Sequence, residues 1–483
     1  MNFLGLRIED HDSNITFTDG KKVKYCATER LFGVKHHGYD NNWQWGDVLA
    51  DWGIHVNELD AICLITDKVN FAPGELYREV DIGFPCKTFV LDHHYAHALS
   101  IWPIGEVPYT NYVFDGFGND EKSHSLFLEN KLEVSFDVEV SGSVGVRMAG
   151  VGKTLGLRYD DSHGLDLAGK VMGLAAYGLV DKQFYDKMSK FPLSRVKELW
   201  NYDSWIRKWD NEFDINWLRT IHELTGDKFA EYIGNGTDDV VGYSGGIAQN
   251  CVFNGKIVAT GQKLMIPPHA NDCGLSLGAV EFLRTYYHQE PFDNTGFPFW
   301  QNDEIPESEA DDETITRVAE TIASGGIVGW YQGSGEVGPR ALGHRSILMD
   351  ARIPEAKDII NSRVKNREHF RPFGAAVLRE DVSKYFQHDG DVPFMNVSVP
   401  VKDMLLNSVT HIDGSCRIQT VTGDDVFARL LRRYKDITGD SVLLNTSLNI
   451  GGKPIASKLW EAKEIFSKKD IDLMVIGNDC LDK

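Results

Sequence analysis

Two stretches of the chain repeat one pattern of strand, polar corner and β-hairpin, and this repetition limits the folds that the chain can adopt. In residues 2–27 a strand is followed by the corner His11-Asp12-Ser13 and by two strands that flank Asp19-Gly20, a turn typical of hairpins. In residues 111–137 a strand leads into the corner Asp115-Gly116 and then into a second hairpin. The repetition predicts a duplicated α/β half-domain whose two polar corners face a shared cleft.

A composition change divides the chain. Residues 290–312 are rich in proline, asparagine and acidic residues and have no hydrophobic periodicity, which predicts an interdomain linker. At 483 residues the chain is long enough for two or three domains. We therefore expect a first domain over residues 1–300 and a smaller α/β domain over residues 301–483. Residues 195–237 are predicted to form polar, tryptophan-rich helices.

The charge balance and the cysteines restrict the partners. A formal net charge of -21 argues against general binding to nucleic acid or to an anionic membrane, because both require a basic surface. No apolar run reaches 18 residues, and the N-terminus lacks the pattern of a secretory signal. The seven cysteines are scattered and never form a Cys-x-x-Cys pair, which favours reduced thiols and a cytoplasmic location.

A local cationic stretch stands out in this acidic chain. Between Arg340 and Arg371 there are eight Lys/Arg and four Asp/Glu residues. Forked guanidinium donors match a phosphate or a carboxylate at two points, and the nearby glycines 333, 335, 338 and 343 leave backbone N–H groups approachable. A solvated basic helix face is the alternative interpretation. Because the glycines and Pro339 interrupt helical periodicity, the stretch favours a pocket for a small, doubly charged anion.

Two histidines follow a predicted buried strand at residues 88–91. On a helix, His93 and His97 stand one turn apart on the same face, a spacing that suits two imidazoles on one metal ion. A structural, hydrogen-bonded pair is the alternative, and Asp92 is then the N-cap of the helix. Asp272 lies at a second loop-to-helix junction and is either an N-cap or a metal ligand.

Two glycine-rich segments are candidates for nucleotide binding. Residues 240–243 form a predicted strand that leads through Ser244, Gly245 and Gly246 to a helix start near Asn250, and helix N-termini direct N–H groups at anions. The segment that contains Lys170 and Gly173 is predicted to be a tight helix lining the cleft. Simple helix–helix packing is the alternative for this second segment.

These motifs together resemble the O-carbamoyltransferase family, which includes nodulation, cephalosporin-type and aminoglycoside carbamoyltransferases. The resemblance covers nearly the whole chain. It rests on His11-Asp12-Ser13, His93-x-x-x-His97, Asp115-Gly116, residues 169–178, Ser244–Asn250, Asp272-x-Gly274, Gly338–Ser346, Lys365–Phe373 and Asn445–Asn449. It implies an N-terminal domain of the duplicated actin, sugar-kinase and heat-shock ATPase type, similar to the tRNA threonylcarbamoyladenosine transferase, and a YrdC-like C-terminal domain.

The resemblance also implies a two-stage reaction. Carbamoyl phosphate and ATP, with Mg²⁺, would form carbamoyl adenylate, and the carbamoyl group would then pass to an acceptor hydroxyl or amine of a small molecule. Residues that match the carbamoyl phosphate site are Arg340, Lys365, Arg371, Arg417 and Ser447, of which Arg340 and Lys365 are also expected to act in catalysis. A divalent metal, expected to be iron, would be held by His93, His97, Asp115 and Asp272. His11 or Asp12 would deprotonate the acceptor, and Lys170, Gly173, Gly245, Gly246 and Asn250 would contact the nucleotide.

The chain departs from this family in its length and leaves several questions open. It is shorter than typical members, and the missing length falls between Gly178 and Val240, where acceptor-contacting loops are expected. Leu448 and His344 are small variations within matching motifs. The alternatives are a kinase or chaperone-type ATPase using only the first domain, a non-catalytic binding regulator, and a tRNA-modifying enzyme. The sequence allows a homodimer and does not identify the acceptor.

Overall fold

The computed structural model of the protein describes residues 1–39, 44–137, 143–159, 164–201, 215–234 and 239–483. Over those ranges, no helix has both the length and the apolar character needed to cross a membrane. The helices predicted over 195–237 are present where this segment is described, and residues 202–214 and 235–238 lie outside the described residues.

A six-stranded sheet forms the first third of the chain. Its strands are β1 (Phe3–Arg7), β2 (Asn14–Thr18), β3 (Val23–Ala27), β4 (Ala61–Ile65), β5 (Tyr77–Val80) and β6 (Lys87–Leu91). The spatial order is β3-β2-β1-β4-β6-β5, in which β1, β2 and β3 form an antiparallel meander and β4 and β6 run parallel to β1. Both β1 and β4 are buried along their whole length, as expected of central strands covered on both faces.

A second sheet repeats this topology. Its strands are β7 (Thr110–Phe114), β8 (Lys122–Leu128), β9 (Lys131–Asp137), β10 (Val241–Ser244) and β11 (Leu264–Met265), in the spatial order β9-β8-β7-β10-β11. Again three antiparallel strands are extended on the far side of the first strand by parallel strands. The duplicated half-domain predicted from the two hairpins is therefore confirmed.

Helices cover the faces of these two sheets. They are α1 (Thr28–Phe32), α2 (Gln44–Asp51), α3 (His93–Leu99), α4 (Val144–Thr154), α5 (Leu167–Ala175), α6 (Lys182–Met188), α7 (Leu193–Val196), α8 (Ile215–Ile233), α9 (Cys251–Ala259) and α10 (Leu275–Tyr286). On the first sheet, α2 packs against one face and α3 and α10 against the other. The two polar corners follow the carboxyl ends of β1 and β7, and residues of both corners line a cleft.

The last third of the chain forms an eight-stranded mixed sheet. Its strands are β12 (Val328–Tyr331), β13 (Arg345–Asp350), β14 (Gly374–Leu378), β15 (Val397–Pro400), β16 (Ser415–Val421), β17 (Val442–Ser447), β18 (Leu473–Ile476) and β19 (Asp479–Asp482), in the order β15-β16-β14-β17-β13-β12-β18-β19. The helices of this part are α11 (Asp312–Ala323), α12 (Ala356–Ile360), α13 (Val382–Tyr385), α14 (Val426–Thr438) and α15 (Leu459–Lys468). One face packs against α11 and α14, and the other against α12 and α15.

The segment between α10 and α11 joins the two parts of the chain. It contains no helix or regular strand, as the predicted linker requires. Yet Gln301 forms a backbone bridge with Tyr25 on one side and with Gly335 on the other, and the side chain of Asp303 is completely buried. The predicted linker is therefore a packed connection that fastens the N-terminal sheets to the loop after β12.

Candidate functional site

A single cleft of about 1210 Å³ lies where the N-terminal sheets meet the C-terminal sheet. Its N-terminal wall includes His11, Asp115 and Asp272, which come from the corners after β1 and β7 and from the loop that precedes α10. Its C-terminal wall includes Arg340 and Lys365. The cleft thus joins the two sets of residues that the sequence singled out separately.

The predicted metal ligands converge at one point. One ligand atom from each of His93, His97, Asp115 and Asp272 lies within 4.8 Å of the other three, and all four residues are buried. The Nε2 atoms of His93 and His97 are 3.1 Å apart. The Oδ1 atom of Asp272 is 3.3 Å from each of them. The helical spacing that predicted a shared face for the histidines is confirmed.

Asp92 and Asp272, which the sequence placed at helix starts, have different roles: Asp92 is a helix N-cap, and Asp272 is not. Asp92 caps α3, because its carboxylate accepts a hydrogen bond from the N–H of Tyr95. Asp272 is not a cap: Asn271 holds the N-cap position of the short helix Asp272–Gly274, and the carboxylate of Asp272 lies in the cluster.

Further buried groups orient this cluster. The Nδ1 atom of His93 lies 2.7 Å from Oδ1 of Asp67. When Nδ1 carries the proton and donates it to Asp67, the lone pair of Nε2 faces the cluster and is available to a metal ion. Arg7 is fully buried and donates through Nη2 to both Asp67 and Asp272, at 3.0 Å each. These hydrogen bonds fix the ligand atoms before any ion binds.

The cluster is short of positive charge. Among the described residues, three carboxylates, those of Asp67, Asp115 and Asp272, lie around the two imidazoles, and the guanidinium of Arg7 pairs with two of them. Although burial alone lowers the pKa of His93, the carboxylates of Asp272 and Asp67 outweigh it and raise this pKa well above its usual value. A buried mixed nitrogen and oxygen donor set with this deficit fits a divalent metal ion.

His11 and Asp12 lie beside the cluster on the cleft wall. The His11 Nδ1 atom is 3.3 Å from Oδ2 of Asp12 and 4.0 Å from Oδ2 of Asp272. The other carboxylate oxygen of Asp12, Oδ1, lies 2.8 Å from Nδ1 of His36. Despite burial, the imidazoles of His36 and His11 hold the pKa of Asp12 far below its usual range. Asp12 is therefore ionised at neutral pH and orients two histidines.

Half of the cations predicted to form an anion pocket line the cleft. Of the eight basic residues between positions 340 and 371, those in the cleft wall are Arg340, Lys365, Arg367 and Arg371. Arg417 and Ser447 line it as well, from the strands β16 and β17. The remaining four lie elsewhere: Arg352 pairs with Asp403 and Asp440, and Arg363 pairs with Asp470 and Asp472.

The cleft cations lack sufficient counter-charge within the described parts of the chain. Burial, together with repulsion from Arg417 and Arg371, lowers the pKa of Arg340 to about 9. Burial and the nearby Arg367 and Arg371 lower the pKa of Lys365 well below its usual value. The Nζ atom of Lys365 donates to Oδ1 of Asn449 at 2.6 Å and to the carbonyl of Ser447, which are neutral acceptors. A dianion bound here would relieve this repulsion.

The glycines of the cationic stretch do not have the predicted role. None of glycines 333, 335, 338 and 343 is among the residues that line the cleft. Gly338 has a φ of 102°, and a Cβ atom there would lie 2.4 Å from the carbonyl oxygen of Pro268. Gly343 has a φ of 114° and would meet the ring of Phe427 at 2.2 Å. These two glycines allow sharp bends against protein atoms rather than the approach of a ligand.

The predicted nucleotide residues are placed in the cleft with one exception, and their polar groups are largely engaged. Lys170, Gly173, Gly246 and Asn250 line the cleft, whereas Gly245 lies beneath it against the carbonyl of Phe114. Lys170 forms an ion pair with Glu368 at 2.8 Å, and the N–H of Gly246 donates to Oδ1 of Asp115. Asn250 caps α9. Gly246 therefore supports a metal-ligand candidate, and its N–H is not free for phosphate.

Sequence reasoning missed several residues of the site. Asp67 follows the end of β4, and a carboxylate at the carboxyl end of a central parallel strand was the signal that could have identified it. His36 and Glu368 carry no spacing pattern of their own. His36 is held beside Asp12 and Asp166 within the N-terminal part, and Glu368 meets Lys170 across the cleft.

The chain is similar to known carbamoyltransferase sequences. Residues 319–483 match the family model described as "Carbamoyltransferase C-terminus". The nodulation protein NolNO of Sinorhizobium fredii is 31% identical, over 85% of this chain and 65% of that protein. The 3'-hydroxymethylcephem-O-carbamoyltransferase of Streptomyces clavuligerus is 33% identical, over 49% of this chain and 47% of that enzyme. The chain thus spans less than two thirds of the length of either relative.

Full-length HypF in its phosphate- and nucleotide-bound form aligns with a TM-score of 0.38 and 12% identity, covering 60% of this chain and 47% of that one.

Proposed function

We propose that this chain is a member of the O-carbamoyltransferase family, to whose C-terminal model and named enzymes it is similar, and that it is an ATP-dependent carbamoyltransferase acting on a hydroxyl or amine of a small-molecule acceptor. The observation that supports this function most directly is the continuity of the cleft. One cavity is lined both by the cation group Arg340, Lys365, Arg371 and Arg417 and by Asp115 and Asp272, the two carboxylates of the cluster that also contains His93 and His97. A single ligand-binding space with an anion end and a metal end suits a reaction in two consecutive stages.

The anion end would carry the first stage. Arg340, Lys365, Arg371, Arg417 and Ser447 bind the phosphate group of carbamoyl phosphate, which supplies the negative charge that these residues lack within the described structure. Carbamoyl phosphate, ATP and one water then give carbamoyl adenylate, phosphate and pyrophosphate. The phosphate comes from carbamoyl phosphate, and the pyrophosphate comes from ATP. Arg340 and Lys365 stabilise the charge that develops on the departing phosphate.

ATP with Mg²⁺ would enter between the two ends of the cleft. Lys170 lies on the N-terminal wall and is joined to the C-terminal wall through Glu368, which also lies 3.6 Å from Arg371. An anionic phosphate chain competes with Glu368 for these two cations. Gly173 and Asn250 line the same region of the wall.

The metal end would carry the second stage. A divalent metal held by His93, His97, Asp115 and Asp272 would supply a Lewis acid for the carbamoyl carbonyl; the resemblance predicts iron, and the mixed donor set suits several divalent ions. Asp12 orients His11 beside this cluster, and of the two expected bases His11 accepts the proton of the acceptor hydroxyl, because the lowered pKa of Asp12 makes that carboxylate a weak base. The acceptor oxygen then bonds to the carbamoyl carbon, and AMP leaves.

This division assigns one stage to each predicted domain. Residues 301–483 contain the carbamoyl phosphate residues, and residues 1–300 contain the metal and proton-transfer residues. The kinase-like alternative uses only the N-terminal part and leaves the cleft cations without a ligand. The family relation and these cations together favour carbamoyl transfer.

The two stages can be separated by experiment. Arg340→Ala should abolish pyrophosphate release from carbamoyl phosphate and ATP, yet should still carbamoylate an acceptor when it receives presynthesised carbamoyl adenylate. His93→Ala should fail with either carbamoyl source. Product formation is measured by mass spectrometry with a panel of small hydroxylated and aminated acceptors. The division is wrong if folded, metal-containing Arg340→Ala protein cannot use the adenylate.

A further inference from the structure

The loop between β12 and β13 carries Arg340 into the cleft. Hydrogen bonds from the C-terminal sheet and from α1 of the N-terminal part determine its conformation. After Arg340, the carbonyl of Ala341 accepts from Nδ2 of Asn445 at 3.3 Å, and that of Leu342 accepts from Nε2 of Gln419 at 2.7 Å. Asn445 and Gln419 lie on β17 and β16, the strands that also carry Ser447 and Arg417. This side of the loop is therefore aligned with two other carbamoyl phosphate residues.

Glu336 holds the same loop from within. Its side chain is completely buried and does not line the cleft. Its Oε1 atom accepts hydrogen bonds from the backbone N–H groups of Leu342 at 2.8 Å, His344 at 2.9 Å and Arg345 at 3.0 Å. Successive N–H groups that point to one side form a concave site for an anion, and here the chain supplies that anion itself.

Arg30 holds the loop from the N-terminal part of the chain. This buried residue of α1 donates through Nη2 to the carbonyl of Gly338 at 3.0 Å and to that of Glu336 at 3.3 Å. Gly338 also packs against the backbone of Pro268, four residues before the metal-ligand candidate Asp272. The chain turns at Gly338, and Arg340 follows two residues later.

We propose that Glu336 and Arg30 are positioning residues that set the place of Arg340 in the phosphate site. This inference rests on the proposed function, because it assumes that Arg340 binds the phosphate of carbamoyl phosphate. Glu336 fixes the loop after Arg340 and Arg30 fixes it before Arg340, and neither side chain is a cleft-lining residue. Both act through Arg340, because they hold the backbone on either side of it.

The test measures binding of inorganic phosphate by calorimetry to the whole protein. Arg340→Ala should weaken binding about 10–100-fold, the range for one charge-assisted contact. Glu336→Ala and Arg30→Gln should each weaken it by a smaller factor, and Glu336→Gln, which retains an acceptor oxygen, should restore most of the affinity. Combined with Arg340→Ala, neither variant should weaken binding further, because residues that act through one group are not additive.

A control separates positioning from loss of stability. Asp303 is a buried carboxylate 3.4 Å from Arg345, and in the described structure neither of its oxygens accepts a hydrogen bond. Asp303→Asn should change the Tm and leave phosphate affinity unchanged. The inference is overturned if Glu336→Ala or Arg30→Gln binds phosphate as the wild type does, or if their effects add to that of Arg340→Ala. Failure of the wild type to bind phosphate would instead refute the proposed function.

Discussion

Replacing Arg340 by glutamine should change ligand affinity and stability in opposite directions. In the described structure Arg340 has no carboxylate within ion-pair distance, and burial with repulsion from Arg417 and Arg371 lowers its pKa to about 9. Removing its charge therefore relieves repulsion in the free protein. It also removes one charge-assisted contact to the bound dianion, which costs about 1.5–3 kcal/mol, or about 10–150-fold in affinity.

The matched control for this prediction is Arg352→Gln. Arg352 belongs to the same cationic stretch and lies outside the cleft, where Nη2 is 3.0 Å from Asp403 and the guanidinium also pairs with Asp440. Its removal breaks the ion pairs with Asp403 and Asp440, of which Asp440 keeps Lys384 at 3.4 Å, and for partly exposed ion pairs the expected loss is about 1 kcal/mol of unfolding free energy. Carbamoyl phosphate affinity should be unchanged.

Two measurements on each protein are sufficient. Calorimetric titration with carbamoyl phosphate, without ATP, gives the affinity, and thermal unfolding without ligand gives the Tm. We expect Arg340→Gln to bind weakly with an unchanged or higher Tm, and Arg352→Gln to bind normally with a lower Tm. The reasoning is refuted if Arg340→Gln retains affinity within about twofold of the wild type, since the contact would then be worth less than about 0.5 kcal/mol.

Three further predictions concern the metal, the cysteines and a buried carboxylate. His97→Ala should lose most of its bound metal in elemental analysis, whereas His94→Ala, on the same helix but hydrogen-bonded to Ser125, should keep it; equal metal contents would contradict the ligand assignment. Cys251→Ser and Cys273→Ser should keep turnover within about tenfold of the wild type, because burial raises the pKa of both thiols and disfavours the nucleophilic thiolate. A collapse in the activity of folded protein would show that a thiol takes part. Burial raises the pKa of Asp303 to about 6 in the folded protein. Because the carboxyl of the unfolded chain titrates near pH 4, the contribution of neutral Asp303 to the free energy of unfolding is complete below about pH 4 and is lost as the pH rises through about 6. Asp303→Asn should therefore show a smaller decrease in Tm between these two pH values, and an identical pH dependence would indicate that Asp303 is already ionised throughout.

Local patterns in the sequence were sufficient for the elements of the fold. The two hairpins predicted the repeated meander because strand alternation and an Asp-Gly turn act over a few residues. The spacing of His93 and His97 placed both imidazoles on one face of α3, since helix geometry relates positions four residues apart. Asp115 and Asp272 were assigned from the family resemblance, and the structure brings both to these histidines.

Only the tertiary structure decided which charged groups belong to the site. The cationic stretch showed eight equivalent basic residues, and packing of the two parts of the chain directed four of them into the cleft while others were paired with distant carboxylates such as Asp403 and Asp470. The glycines of this stretch were predicted to admit a ligand, but Gly338 is required by its contact with Pro268, some 70 positions earlier in the chain. Periodicity and turn chemistry are local and can be read from neighbouring residues. Charge pairing and close backbone contact join residues that are distant in sequence, so they are determined only when the chain has folded.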